Sequence, residues 1–469
     1  MLGTRGRLRE TILKTVLDSL IGKRVSTRGV LMLDRHVPIL CGSVAAGVLS
    51  AALQSNAADA SNYLLFSKGP LLVRPRLSVS EDYTDNLFSQ SEGTSEFIST
   101  ISPGVNIQFG RLAKNFVALE YSLSQHFYMD RSDLNSGEHS FGLRSRVQGD
   151  RLVLSGSDSV QLLSSPVGLV TEYLQRFAAT PPTPGTEGGA APPPAGGEPP
   201  GTVQGPEVIS AIADRSVDRN IFFDGYSLSY AISEKTGIYL QGQHSTTDYE
   251  QGIGLYDINT LRATAGFGFQ AFPKVGFFGE MSYGQTATTP NFPAPKNPHV
   301  EFLGGGLGAR GNFTSKLSGS VRVGYEAREF SDQTPTPSSP VADMSLSYRA
   351  TQKSAVSLTF GRLHDVSIQY GKESYTANVA SIQWDQVLGA SHKWRASVGG
   401  RFGTFDYQSP DSAAQRQYDQ YSAYFRLAYQ IQLWLSASLG YTWDSIRTGS
   451  GGGYDYDINR ASVGIAIGY

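Results

Sequence analysis

The chain has almost no cysteine. Cys41 is the only one in 469 residues and lies in an N-terminal stretch apart from the expected fold, so the body of the protein has no disulfide or thiol chemistry. Charge is scarce as well. Asp, Glu, Lys and Arg make up 17% and nearly cancel at a net −2, which leaves nothing to attract nucleic acid or a charged surface. No apolar run reaches the ~18–20 residues of a membrane-spanning helix. Mean hydropathy is −0.22, which by itself describes a soluble protein. What is abundant points elsewhere: 52 glycines and 11% aromatics. A transmembrane β-barrel reads this way, because only every second strand residue faces lipid.

The last residues show the pattern most clearly. From Arg460 onward, Ala461, Val463, Ile465, Ile467 and Tyr469 fall on one face, and Ser462, Gly464, Ala466 and Gly468 on the other. Period-2 alternation places successive side chains on opposite sides of a strand. The same alternation recurs at hairpin intervals and predicts eighteen strands, among them 72–87, 151–163, 217–232 and 455–469. Every second connection is short, as at Gly149-Asp150, Gln352-Lys353 and Ile431-Gln432, while the others are long and polar. Short turns alternating with long loops are the mark of an outer-membrane barrel. The expected fold is all-β, a single transmembrane antiparallel barrel over 71–469 with no plug domain and both termini periplasmic. One strand fits poorly. Asp158 shares parity with Leu152 and Leu154, which predicts a bulge there.

Residues 1–60 read as an N-terminal extension followed by a signal peptide, with translation starting at Met32 and cleavage after Ala60 in Ala58-Asp59-Ala60. Residues 165–215 contain Pro181-Pro182, Pro192-Pro193-Pro194 and Pro199-Pro200 and form an expected extracellular loop that cannot bury a core.

Charge on the lipid face costs roughly 2–4 kcal/mol for Arg or Lys at the midplane, so the charged parity should face the lumen. That parity collects Arg144, Arg146, Arg262, Arg310, Arg322, Arg328, Arg349, Arg395, Arg401, Arg426 and Arg460. The acids on it are Glu120, Glu280, Glu326, Asp385 and Asp444. An arginine-rich wall concentrates anions. The alternative is that these arginines pair with the acids and brace the barrel. Both can hold, since the arginines outnumber the acids.

Gly306-Leu307-Gly308-Ala309-Arg310-Gly311 matches a dinucleotide fingerprint, but it lies inside a strand, where small residues for close packing explain it better. His126, His139 and His244 stand near strand ends beside acids without a nucleophile–base spacing, so no enzyme, metal site or cofactor is expected.

Asp82-Tyr83-Thr84-Asp85-Asn86-Leu87-Phe88, followed by Ile101-Ser102-Pro103-Gly104-Val105, resembles a family of outer-membrane β-barrel porins often encoded with exopolysaccharide genes. Its mark is a Tyr-x-Asp-Asn motif leading into a strand with Ser-Pro-Gly. The resemblance implies an outer-membrane channel and outward passage of an exopolysaccharide. Its expected partners are outer-membrane lipid, polysaccharide export proteins and the barrel-assembly machinery, the last recognising the C-terminal strand ending at Tyr469. The other reading is a closed barrel that serves as a receptor or anchor.

Overall fold

The computed structural model describes residues 64–112, 114–166, 215–250, 254–292, 299–331, 338–367, 373–409, 412–450 and 455–468. The expected signal peptide, most of the Pro-rich loop and Tyr469 lie outside these residues. The first strands are β1 (Phe66–Lys68), β2 (Leu71–Thr84), β3 (Glu96–Gly110), β4 (Phe116–Tyr128), β5 (Ser136–Gln148) and β6 (Leu152–Pro166). After the long loop come β7 (Ser216–Ala231), β8 (Thr236–Tyr249), β9 (Tyr256–Phe272), β10 (Val275–Pro290), β11 (Val300–Asn312) and β12 (Leu317–Phe330). The rest are β13 (Ser339–Arg349), β14 (Ser354–Val366), β15 (Ser374–Leu388), β16 (Trp394–Ser409), β17 (Ser412–Gln432), β18 (Leu435–Ser450) and β19 (Tyr456–Ile467).

Each strand from β2 pairs antiparallel with the next, and β19 returns to β2, with Arg460 opposite Thr84 and Ile467 opposite Leu77. Strands β2 to β19 thus close an eighteen-stranded antiparallel barrel without a plug domain among the described residues. Closure removes every open edge. The small β1 was not foreseen. β3 takes one edge of β2 along its whole length, while β19 covers only Leu77–Thr84 of the other. β1 pairs Phe66–Lys68 with Leu71–Val73 and fills the remainder of that seam.

The first long strand ends at Thr84, earlier than the expected 87. The chain turns there because Asp85 and Asn86 bind β19 instead of continuing the ladder. Leu87 and Phe88 then pack with Ile98, Tyr128 and Leu134 in a small buried cluster. Two larger clusters lie at the same long-loop end. One joins Val217, Tyr249, Ile258, Val300, Phe330 and Val366, and the other joins Tyr375, Phe405, Tyr407, Tyr418, Ile446 and Ile458. Burial of apolar side chains is therefore concentrated at the long-loop end. The outward face along the strands carries exposed Leu, Phe, Tyr and Val, such as Leu240, Phe267, Leu307 and Val463.

The bulge predicted at Asp158 is absent. β6 runs in unbroken register with both neighbours, Asp158 standing opposite Leu143 and Asp224. Its parity with Leu152 and Leu154 is real, and the carboxylate points outward. The shifts in register fall elsewhere, between Val275 and Phe277, Tyr407 and Ser409, Gln417 and Tyr418, and Gln430 and Gln432.

Candidate solute-facing wall

Contacts that skip a strand identify the inner face. Arg262 on β9 lies 3.1 Å from Glu326 on β12. Those backbones are three strand spacings apart, about 14 Å at ~4.8 Å each. Two side chains can bridge that span only on the concave side.

The densest charge cluster grows from this pair. Glu326 also takes the Arg328 Nε donor at 2.7 Å, and Arg328 reaches Asp365 at 4.0 Å. The guanidiniums of Arg262 and Arg328 both lie over the Phe302 ring, at 4.5 and 5.2 Å. Toward the short-turn end a second chain begins with the Tyr239 hydroxyl donating to Glu280 at 2.6 Å. Glu280 meets Arg322 at 2.7 Å, and Arg322 meets Asp343 at 2.6 Å. Arg310 caps the Phe278 ring at 5.2 Å.

Around the barrel the pattern thins. Glu120 on β4 lies 2.7 Å from Arg76 on β2 and 3.8 Å from Arg144 on β5. Arg146 donates to Gln148 at 3.2 Å. Asp385 accepts from Gln383 and from Ser397, the latter at 2.6 Å. Asp444 is buried and attracts Arg401 from two strands away. Arg460 stands opposite Thr442 and Thr84 on the same inward parity. Among the described residues no carboxylate forms an ion pair with Arg310, Arg349, Arg395 or Arg426. Bracing therefore dominates over β9–β14, and cations without an ion pair concentrate at Arg310 and in the sector from β13 to β17.

Parity counting missed Arg76, Asp343 and Asp365, each of which holds a charged partner inside. Each shares parity with apolar neighbours that end up outside the bilayer band or at a strand end. It also missed why the wall has so many glycines. The rings of Tyr239, Phe278, Phe302 and Tyr424 lie flat on the wall over Gly266, Gly308, Gly284 and Gly399, in space that a Cβ would occupy. The Gly306–Gly311 run is therefore a packing device, with Arg322 along Gly306 and Phe278 over Gly308.

Gly266→Ala should lift Tyr239 from the wall and break its bond to Glu280. Forced repacking plus a lost hydrogen bond is expected to cost about 1–3 kcal/mol in denaturant unfolding. In a Tyr239→Ala background the same substitution should cost much less, because the three atoms nearest that position all belong to Tyr239.

The histidines do not form one site. His126 points inward, between Thr100 and Glu138, while His139 points outward against Tyr121. Among the described residues no group of three His, Cys, Asp or Glu is arranged to hold a metal ion.

Residues 256–469 match the model of the family described as Putative beta-barrel porin 2. Over these residues, a little under half of the chain, the sequence is similar to that porin family. The match opens at the first residue of β9 and takes in both charge clusters of β9–β14 together with the closing strand. No curated protein matches the chain in sequence. Among solved structures, OccK3 (OpdO) of Pseudomonas aeruginosa is 12% identical, covering 84% of this chain and 96% of its own, with a TM-score of 0.42. OccAB3 of Acinetobacter baumannii is 12% identical, covering 85% and 99%, with a TM-score of 0.42. The siderophore receptor PirA of Pseudomonas aeruginosa is 8% identical, covering 85% and 80%, with a TM-score of 0.41. At these scores the likeness assigns no residue a role.

Proposed function

We propose that the barrel is a passive outer-membrane channel that favours anionic solutes, an acidic exopolysaccharide passing outward among them. The observation that supports this most is the unequal charge of the inner wall. Acids on β9–β14 are already held by arginines, while Arg395 and Arg426 on β16 and β17 lack an ion pair among the described residues. A cationic strip in a confined aqueous lumen concentrates counter-charge. Short turns and both termini would face the periplasm, and the long loops the exterior. Assembly through the C-terminal strand, and polysaccharide export proteins as partners, belong to the same reading.

A second reading has its own support. The two large apolar clusters sit at the long-loop end, most of their strand residues on inward parity, and side chains packed there would narrow the mouth. A barrel closed at that end would act as a receptor or surface anchor.

Conductance in a planar bilayer under a salt gradient separates the two. Stable steps with an anion-selective reversal potential are expected, and Arg395→Glu with Arg426→Glu should move that potential toward cation preference. Steps that never change selectivity would discard the role of the arginines. A folded but silent barrel would favour the closed reading.

A further inference from the structure

The outer wall carries a row that a lipid-facing surface should not have. Asp158 on β6 stands opposite Asp224 on β7, which stands opposite His244 on β8. These positions share parity with Leu154, Leu228 and Leu240, all exposed and outward. The opposite parity on β8 carries Tyr239, which reaches Glu280 inside the barrel. On β6 and β7 apolar outward residues continue above and below the row, at Leu162 and Phe222 and at Leu154 and Leu228, whereas on β8 Thr246 and Asp248 follow His244 on the same parity. Asp158 and Asp224 therefore lie within the apolar band, where unpaired charge is costly, and His244 stands at its edge.

Within one chain the imidazole of His244 is engaged at both nitrogens, its Nε2 meeting Asn259 at 3.0 Å and Thr246 at 3.3 Å, while the two carboxylates have fewer donors than they can accept. Tyr226 donates to Asp158 at 2.5 Å, and His244 approaches Asp224 at a long 3.4 Å. Two facing carboxylates thus share one phenol and one imidazole. The side chains of Asp224 and His244 remain 44% and 38% exposed.

The next row toward the short turns is shaped to match. Tyr226 on β7 projects from the wall at 59% exposure. Directly opposite on β8 is Gly242, where an added Cβ would meet nothing within 4 Å. A hollow of about 290 Å³ opens at this level, and an apolar groove of about 1170 Å³ continues from β7 to β12, floored by Ala265, Gly279 and Gly305.

A two-fold axis along the membrane normal, running between β7 and β8, sets β7 of one barrel against β8 of another, with register-paired positions within about 3 Å of the same height. Asp224 then meets the partner subunit's His244, and Tyr226 meets the partner subunit's Gly242. Acid faces base and ring faces gap, and both rows read the same in either direction, as an isologous contact demands. We propose that the barrel pairs with a second copy of itself in the membrane through β6–β9, about this axis. The groove beyond β8 receives the partner's projecting β6–β7 wall. The proposal rests on the outer-membrane placement and is independent of conductance.

Cysteine cross-linking in the outer membrane tests it, with the full chain in a Cys41→Ser background. One tagged copy carries Tyr226→Cys and a second, differently tagged copy carries Gly242→Cys. Random pairing puts half of the chains in mixed dimers, so oxidation should join about a quarter to a half of the folded chains into an adduct of twice the chain mass carrying both tags. Leu439→Cys with Val463→Cys, outward on the far wall, should give under a tenth of that yield. No adduct between two folded barrels, or an equal yield from the far-wall pair, would overturn the proposal. Native mass measurement in mild detergent gives a second readout. Asp224→His should reduce the dimer at least tenfold, and Asp224→His combined with His244→Asp should restore it to within about threefold. Loss without restoration would also overturn it.

Discussion

Asp85→Ala should loosen the barrel at its seam. The Asp85 carboxylate accepts from both donors of Asn459, the backbone N at 2.7 Å and the side-chain Nδ2 at 2.6 Å, across the junction of β2 and β19. The backbone N of Asp85 returns a bond to the Asn459 carbonyl at 3.2 Å. Asn86 adds a second stitch, its Nδ2 donating to the Asp457 carbonyl at 3.0 Å and to Gln90 at 2.7 Å. These bonds stand where the ladder ends, since β19 meets β2 only over Leu77–Thr84. They also join the two ends of the barrel, the pairing whose closure entropy is largest. Hydrogen bonds to a charged group contribute about 1.5–3 kcal/mol each, so losing two is expected to cost about 3–6 kcal/mol. The measurement is the urea midpoint in detergent, followed by the shift between folded and unfolded bands. Asp85→Asn should fall between parent and Ala, because it keeps one acceptor. Asp133→Ala removes an exposed pair with Arg131 in the loop before β5 and should change the midpoint little. Equal midpoints for Asp85→Ala and the parent would refute the stitch.

That result bears on what the sequence could disclose. Strand number, closure and the order of turns were legible, because alternation and turn chemistry are local and repeat many times. The Tyr83–Asn86 motif was legible as a resemblance but not as a clasp. Its partners, Asp457 and Asn459, lie at the other end of the chain, and no periodicity links them. Asp158 taught the opposite lesson. Its parity was read correctly, but the rule that lipid-facing charge is excluded argued for a bulge to turn it inward. The strand kept its register, and the exception to the rule became the feature worth explaining. Inside the barrel, parity collected the arginines but could not sort paired from unpaired ones. Arg262 and Glu326 are separated by three strands, so their meeting depends on barrel curvature rather than on sequence spacing. The flat-lying rings over Gly266 and Gly399 were hidden for the same reason.

The largest effect inside the wall is expected at Glu326. Its side chain is 6% exposed, that of Arg328 is 5%, and Phe302 fills the space between two guanidiniums at 2%. Two arginines thus depend on one carboxylate in a site that water barely reaches. Removing one partner from a buried ion pair costs about 3–5 kcal/mol, because the remaining charge stays desolvated without compensation. Glu326→Ala should therefore destabilise the barrel by that amount in denaturant unfolding. Glu326→Ala with Arg328→Met should recover part of the loss, because it removes one stranded cation along with its acid. Arg262, less buried at 28%, can turn toward the lumen and keep its hydration. Glu326→Ala then adds a cation to the wall, so any barrel that still folds should conduct with stronger anion preference than the parent. Stability and selectivity would move in opposite directions from a single substitution. A Glu326→Ala barrel that unfolds like the parent would mean that Asp365 already holds Arg328, and that the β9–β14 cluster is braced by its outermost acid rather than its central one.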